Sequence, residues 1–195
     1  MSAPLPLTFV ASADDPRTLP PSPAEVAIVG RSNVGKSSLL NALAGKDGLA
    51  RTSKTPGRTQ LLNCFRIPSG ATVVDLPGYG WAKTSKENRA AWQRRMERYL
   101  TQREPLVMTM LLVDGEIGPA KADLEMLTWL RAADVPFTIV ATKHDKVKSS
   151  ARTRRRRDLA EGCGVGEKDV LWVSAAKNVN VGLLRDRVRD LLGAR

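Results

Sequence analysis

One short string constrains the fold of this chain more than any other: Gly30-Arg31-Ser32-Asn33-Val34-Gly35-Lys36-Ser37. It fits the pattern GxxxxGK[ST], and its flanks are equally informative. Ahead of it, Glu25-Val-Ala-Ile-Val29 reads as a short buried strand; behind it, Ser38-Leu-Leu-Asn-Ala-Leu43 reads as the first turns of a helix. Strand, glycine loop and helix start together form a phosphate cradle. The glycines let the backbone curl until successive N–H groups point inward, and the helix N-terminus adds partial positive charge. Lys36 is placed to reach β- and γ-phosphates, and the Ser37 hydroxyl to ligate Mg²⁺.

Three further motifs each close a predicted strand. Thr72-Val-Val-Asp75-Leu76-Pro77-Gly78 is a β-branched run ending in Asp and a Gly turn, so Asp75 is placed to hold the metal through water and Gly78 to bring an N–H to the γ-phosphate. Phe137-Thr-Ile-Val-Ala-Thr142-Lys143-His144-Asp145 ends in [NT]KxD, and Val170-Leu-Trp-Val173-Ser174-Ala175 ends in a loop of small residues. Each alone is compatible with an ordinary turn; their order and spacing after the glycine loop are not. The KxD element selects the base. A carboxylate at Asp145 accepts from both the N1–H and the exocyclic amino group of guanine, and adenine offers neither donor. Charge-assisted bonds of this kind contribute about 1.5–3 kcal/mol each. The Lys143 stem can lie along the base while its ammonium bonds a loop carbonyl, and Ser174-Ala175 offers a backbone N–H to the guanine O6. The expected ligand is GTP.

The apolar pattern predicts strands near 24–29, 61–67, 71–75, 107–114, 136–142 and 170–173, and helices near 36–44, 86–103, 119–133, 149–162 and 179–192. Strand–helix alternation after a phosphate loop predicts an α/β fold with a doubly wound, mostly parallel sheet and helices on both faces, with ligand motifs at the C-terminal strand ends. Pro68-Ser-Gly70 joins two of the strands as a hairpin, which places one antiparallel strand at the sheet edge. The 195 residues suffice for a single core. Residues 1–22, rich in Pro and Asp, read as an extension over the surface anchored by Phe9 and Val10, leaving 23–195 as one domain. No apolar run approaches the roughly 18–20 residues that cross a bilayer, and the N-terminus lacks a signal-peptide pattern, so a cytoplasmic protein is expected. Two distant cysteines and one histidine argue against a zinc site.

With these motifs in place, the chain resembles the EngB family of ribosome-biogenesis GTPases, within the translation-factor-related P-loop GTPases. The segments that carry the resemblance are residues 30–38, Arg51-Thr-Ser-Lys-Thr-Pro-Gly57-Arg58-Thr59-Gln60, Asp75-Leu-Pro-Gly-Tyr79-Gly-Trp-Ala82 and Thr142–Asp145, and it extends over nearly the whole chain from about Phe9. The resemblance implies a Ras-like, three-layer α/β/α domain with a six-stranded sheet. It also implies that Thr59 is the second Mg²⁺ ligand and that Gly57, Arg58, Thr59, Gln60 and Leu61 border the nucleotide. Thr142 stands where most GTPases carry Asn; its hydroxyl can replace one of the amide's tethers to the phosphate loop. Tyr79 stands where Ras-like enzymes carry a water-orienting Gln, so no catalytic side chain is evident beyond Lys36, and slow hydrolysis is expected. In related GTPases lacking the Gln, an Asn at the position of Asn33 helps hold K⁺ beside the phosphates; the alternative is that Asn33 only shapes the loop turn.

Charge points to the partner. Lys and Arg total 31 against 20 acidic residues, a formal charge of +11. Arg152-Thr-Arg154-Arg155-Arg156-Arg157 is a dense block, and Arg89, Arg94, Arg95, Arg98 and Arg103 load the helix predicted near 86–103. GTP needs few of these charges, so the excess points to a polyanion, with structured RNA ahead of an anionic membrane. The reading is a monomeric GTP switch for large-subunit ribosome assembly that meets rRNA. The alternatives are a merely solubilising cationic face and a GTP-gated adaptor at a membrane or protein complex.

Overall fold

The parallel strands assemble in an order that brings their C-terminal ends to one edge. The computed structural model describes residues 2–50, 61–80 and 86–193. Among these the elements run β1 (Thr8–Ala13), β2 (Glu25–Gly30), α1 (Lys36–Ala44), β3 (Leu62–Arg66), β4 (Thr72–Asp75), α2 (Lys86–Gln102), β5 (Leu106–Asp114), α3 (Lys121–Ala132), β6 (Phe137–Thr142), α4 (Arg152–Gly162), β7 (Val170–Trp172) and α5 (Val181–Leu191). The sheet order is β1-β3-β4-β2-β5-β6-β7. β4, β2, β5, β6 and β7 are mutually parallel, β3 is antiparallel to β4, and β1 is antiparallel to β3. The Ras-like layout and the hairpin at 68–70 are therefore as expected.

The sheet has seven strands where six were expected. The extra one, β1, comes from residues 1–22 and takes the edge, so β3 lies one place inside it. Its sequence TFVASA is mostly solvent-facing and carries a bulge between Phe9 and Ala11, so it lacks the apolar run that marks its neighbours. Nor do Phe9 and Val10 anchor the segment: they are 52% and 39% exposed, whereas Leu5, Leu7, Ala13 and Leu19 are buried.

Side-chain alternation along the strands builds a core on each face. Val26 and Ile28 of β2 pack with Leu39, Leu40 and Leu43 of α1 and Leu184 and Val188 of α5. Ala27 and Val29 pack on the other face with Met96, Tyr99 and Leu100 of α2, Leu127 and Leu130 of α3, and Leu159 of α4. A parallel strand covered on both faces reads as a continuous apolar run, as β2 does.

Two polar clusters brace this frame. Arg185 of α5 donates to Leu43 O (3.1 Å), Ala42 O (2.5 Å) and Ser2 O (3.0 Å), satisfying the last carbonyls of α1 and pinning the N-terminus. At the edge opposite the motif-bearing strand ends, the fully buried Glu25 carboxylate accepts from Arg103 Nε (3.0 Å), the Tyr99 hydroxyl (2.7 Å) and the Thr72 hydroxyl (2.7 Å). That cluster fixes the C-terminal end of α2.

Candidate functional site

The glycine loop leaves β2 and enters α1 without slack. A Cβ on Gly30 would lie 2.8 Å from Val34 Cγ1 and 2.9 Å from Leu112 O, so no larger residue fits. Gly35 has φ 107° and Asn33 φ 65°, left-handed conformations that Gly adopts freely and Asn tolerates. Val34 N donates to Arg31 O (3.3 Å), and Leu39 N to Gly35 O (2.9 Å) as the helix begins. Lys36 is buried, its ammonium bonded to Gly30 O (3.3 Å) and Arg31 O (3.5 Å). Burial lowers its pKa, with the Asp75 charge acting the other way.

Asp75 ends β4 beside it. Burial pushes its carboxyl up to about 6, against the pull of Lys36, and its Oδ1 has no hydrogen-bond partner among the described residues. A buried carboxylate oxygen short of a donor, with the half-buried Ser37 hydroxyl at the start of α1, suits a hydrated hard cation. Thr59, the other expected ligand, and Gly57, Arg58 and Gln60 lie outside the described residues. Leu61 is exposed, and Leu76 is buried with its N–H on Ile28 O (3.0 Å). Pro77 O accepts from Trp92 Nε1 (3.2 Å). Gly78 lies so close to the loop that a Cβ there would sit 3.0 Å from both Lys36 Nζ and Ser32 N.

The end of β6 approaches the loop from the other side. The Thr142 hydroxyl donates to Val34 O at 2.7 Å, the tether expected of it. Among the described residues Lys143 bonds no loop carbonyl: with φ 57° it aims its ammonium at Asp114 Oδ2, 2.6 Å away at the end of β5. His144 is buried, its N–H on Val173 O (3.1 Å) and its ring edge-on to Trp172. Burial, then the charges of Arg152 and Arg156, hold its pKa below the usual histidine range. The Asp145 carboxylate stays half-exposed and accepts from the Ser174 hydroxyl at 2.6 Å. Ser174 Oγ in turn accepts from Lys177 N (3.0 Å), while Ser174 N donates to Val179 O (3.0 Å) rather than outward. Val173 is fully buried and Ala175 half-buried. Four separate stretches of sequence thus meet at one sheet edge.

Tyr79 points away from the loop. It is buried, and its hydroxyl donates to Asp123 Oδ1 of α3 at 2.8 Å. Asp114, Asp123 and the Ser174 hydroxyl escape sequence reasoning because the site residues they hold, Lys143, Arg31 and Asp145, lie 29 to 92 residues away. Only the start of α3, with Asp123 three residues into it, carried a local signal, that of a helix-capping carboxylate.

The arginines divide into two groups. Just past α2, Arg103 is committed to Glu25, and on the helix Arg95 bonds Asp14 O and Arg98 approaches Asp15 (3.5 Å), so that helix is less free than its sequence implies. On α4, the Arg154 and Arg157 side chains are 81% and 67% exposed, both approaching Asp158 on the same helix. Among the described residues no helix is long and apolar enough to cross a membrane.

Comparison with known proteins agrees with this geometry. A family model described as 50S ribosome-binding GTPase matches residues 25–143. The chain is 46% identical over 174 residues, 89% of each protein, to a probable GTP-binding protein EngB of Thermotoga petrophila. It is 44% identical over 168 residues to the corresponding protein of Geobacter sulfurreducens, covering 86% of this chain and 82% of the relative. A crystal structure of a probable GTP-binding protein EngB superposes with a TM-score of 0.71 at 26% identity, covering 88% of this chain and 100% of that one. Era in complex with MgGDPNP and a 16S ribosomal RNA segment superposes with a TM-score of 0.68 at 25% identity, over 87% of this chain and 56% of Era. A glycine loop, a tethering Thr142 and the half-exposed Asp145 carboxylate at one sheet edge, in a chain so similar to these proteins, have one explanation: the protein belongs to the EngB family of GTP-binding, GTP-hydrolysing proteins.

Proposed function

We propose that this GTPase is a slow switch in assembly of the large ribosomal subunit. The observation that carries the proposal is the solvent-facing arginine run of α4, which starts seven residues after Asp145 and so flanks the guanine-reading loop. A cationic face beside a nucleotide site, in a family described by binding to the 50S particle, is suited to rRNA phosphates.

Within that reading, residues 30–37 cradle the phosphates, Asp145 takes the two guanine donors, and Lys143 and Ala175 border the base. Mg²⁺ supplies charge neutralisation between the phosphates; Ser37, Thr59 and, through water, Asp75 would hold it. Tyr79 is turned to Asp123 and offers the attacking water nothing, so hydrolysis rests on Lys36 and backbone N–H groups and is slow without a partner. The φ of Asn33 satisfies the loop turn by itself, and comparing hydrolysis rates in K⁺ and Na⁺ decides whether it also serves a monovalent ion.

The test is sedimentation through a sucrose gradient with cell extract. Co-migration with large-subunit particles in a non-hydrolysable GTP analogue, lost in GDP, is the expected result. Migration at the top of the gradient in both nucleotides overturns the proposal and favours an adaptor acting elsewhere.

A further inference from the structure

Residues 78–80 lie folded onto the glycine loop. Ser32 N donates to Tyr79 O at 3.1 Å, Tyr79 N to Gly30 O at 3.4 Å, and Arg31 and Tyr79 form a parallel bridge. Gly78 packs against the Lys36 ammonium, which is itself turned onto Gly30 O and Arg31 O. A γ-phosphate oxygen bonded to that ammonium would sit about 2.8 Å from it, in competition with Gly78, on which a Cβ would lie 3.0 Å from the same Lys36 Nζ. A β-phosphate, though also within reach of Lys36, is held in addition by the loop N–H groups and the first turn of α1, so it depends less on that ammonium.

One carboxylate holds this arrangement closed. Asp123, fully buried on α3, accepts from the Tyr79 hydroxyl (2.8 Å), from Arg31 Nε (2.9 Å) and from Ala120 N (2.9 Å). Three segments distant in sequence, the turn after β4, the glycine loop and the start of α3, therefore share one buried charge. Burial and the neighbouring Asp123 charge raise the Tyr79 pKa strongly, so the phenol remains a donor. Trp92 braces the turn, its indole N–H on Pro77 O and its ring 6.1 Å from that of Tyr79.

We propose that Asp123 is a positioning residue for nucleotide choice: through Tyr79 and Arg31 it latches residues 78–80 over Lys36 and biases the site toward GDP until a γ-phosphate displaces the turn. The proposal rests on the reading of residues 30–37 as the nucleotide site. Opening the turn strips a donor from a desolvated carboxylate, and that loss is charged against GTP but not GDP. A contact that shifts α3 would then change nucleotide preference without touching the nucleotide.

The experiment titrates fluorescent GDP and a non-hydrolysable fluorescent GTP analogue, with Mg²⁺, into the parent protein and two variants. Tyr79→Phe deletes one hydroxyl and leaves the ring on Trp92; Asp123→Asn keeps an acceptor for Ala120 N and removes the charge. The expected result is a shift of about tenfold in the GDP-to-GTP affinity ratio toward GTP in both variants, the size of one lost bond to a charged group. A merely structural role weakens both nucleotides by one factor, and an unchanged ratio overturns the proposal, whether or not overall affinity falls. A parent protein that binds neither nucleotide would instead overturn the reading of the glycine loop on which the proposal stands.

Discussion

At the scale of single residues, the site is a set of side chains held by partners other than the ligand. Asp145 is aimed by the Ser174 hydroxyl, 2.6 Å away, so the two make separable predictions. Asp145→Asn should weaken GTP about a hundredfold, the worth of two charge-assisted bonds partly replaced by an amide. It should also admit xanthosine triphosphate, whose C2 carbonyl accepts where guanine donates. Ser174→Ala leaves the carboxylate in place but less constrained, so GTP should weaken only about threefold to tenfold, with no gain for xanthosine triphosphate. Isothermal calorimetry with both nucleotides separates these outcomes, and an Asn variant with parental GTP affinity would remove Asp145 from the base site.

At the scale of elements, buried charge decides which arginines are structural. Arg103 holds the far end of α2 through Glu25, a carboxylate with no exposure of its own. Arg103→Met should cost roughly 3 kcal/mol in urea unfolding, because it leaves that charge buried with only neutral donors. Adding Glu25→Gln should recover much of the loss; no recovery would show that the arginine acts through packing alone. The α4 arginines should behave oppositely. Replacing the exposed Arg154 and Arg157 by Ala should leave stability within about 0.5 kcal/mol. It should flatten the log–log salt dependence of binding to large-subunit particles by about 1.5 units, two phosphate contacts' worth. An unchanged slope would make α4 a solubilising surface. Arg156 is left in place because its charge reaches His144.

At the scale of the whole molecule, His144 links folding to pH. Its folded pKa lies below the unfolded value because burial, Arg152 and Arg156 all oppose a second positive charge, with Asp145 the one group acting the other way. The unfolded chain therefore takes the proton first. Stability is complete above about pH 6.5 and falls as pH drops below it, by at most about 1.4 kcal/mol per unit. Asp75, raised to about 6, gains stability on protonation over part of the same range, so the two partly cancel. His144→Phe, which keeps a ring against Trp172, isolates the histidine. Its urea midpoint should fall less than the parent's between pH 7.5 and 5.5. Parallel losses in the two proteins would show that His144 is not the linked group.

What the chain determined by itself is what local chemistry can write. A glycine loop between a strand and a helix, a carboxylate that matches guanine, and apolar runs suited to two-sided burial are properties of neighbouring residues. They sufficed for the fold class, the order of elements from β2 onward and the gathering of Lys36, Asp75, Thr142 and Asp145 at or just beyond the strand ends of one sheet edge. Only the tertiary structure placed β1, because an exposed edge strand gains its stability from backbone pairing with β3 and leaves little apolar pattern. Only it separated Arg103 from Arg154, since identical side chains differ by the burial around them. The same holds for Tyr79: its spacing after Asp75 aligned it with a catalytic glutamine, but a buried carboxylate 44 residues further on captured its hydroxyl. An unpaired charge in the interior outbids local sequence, because it must be satisfied by whichever donors the fold brings within reach.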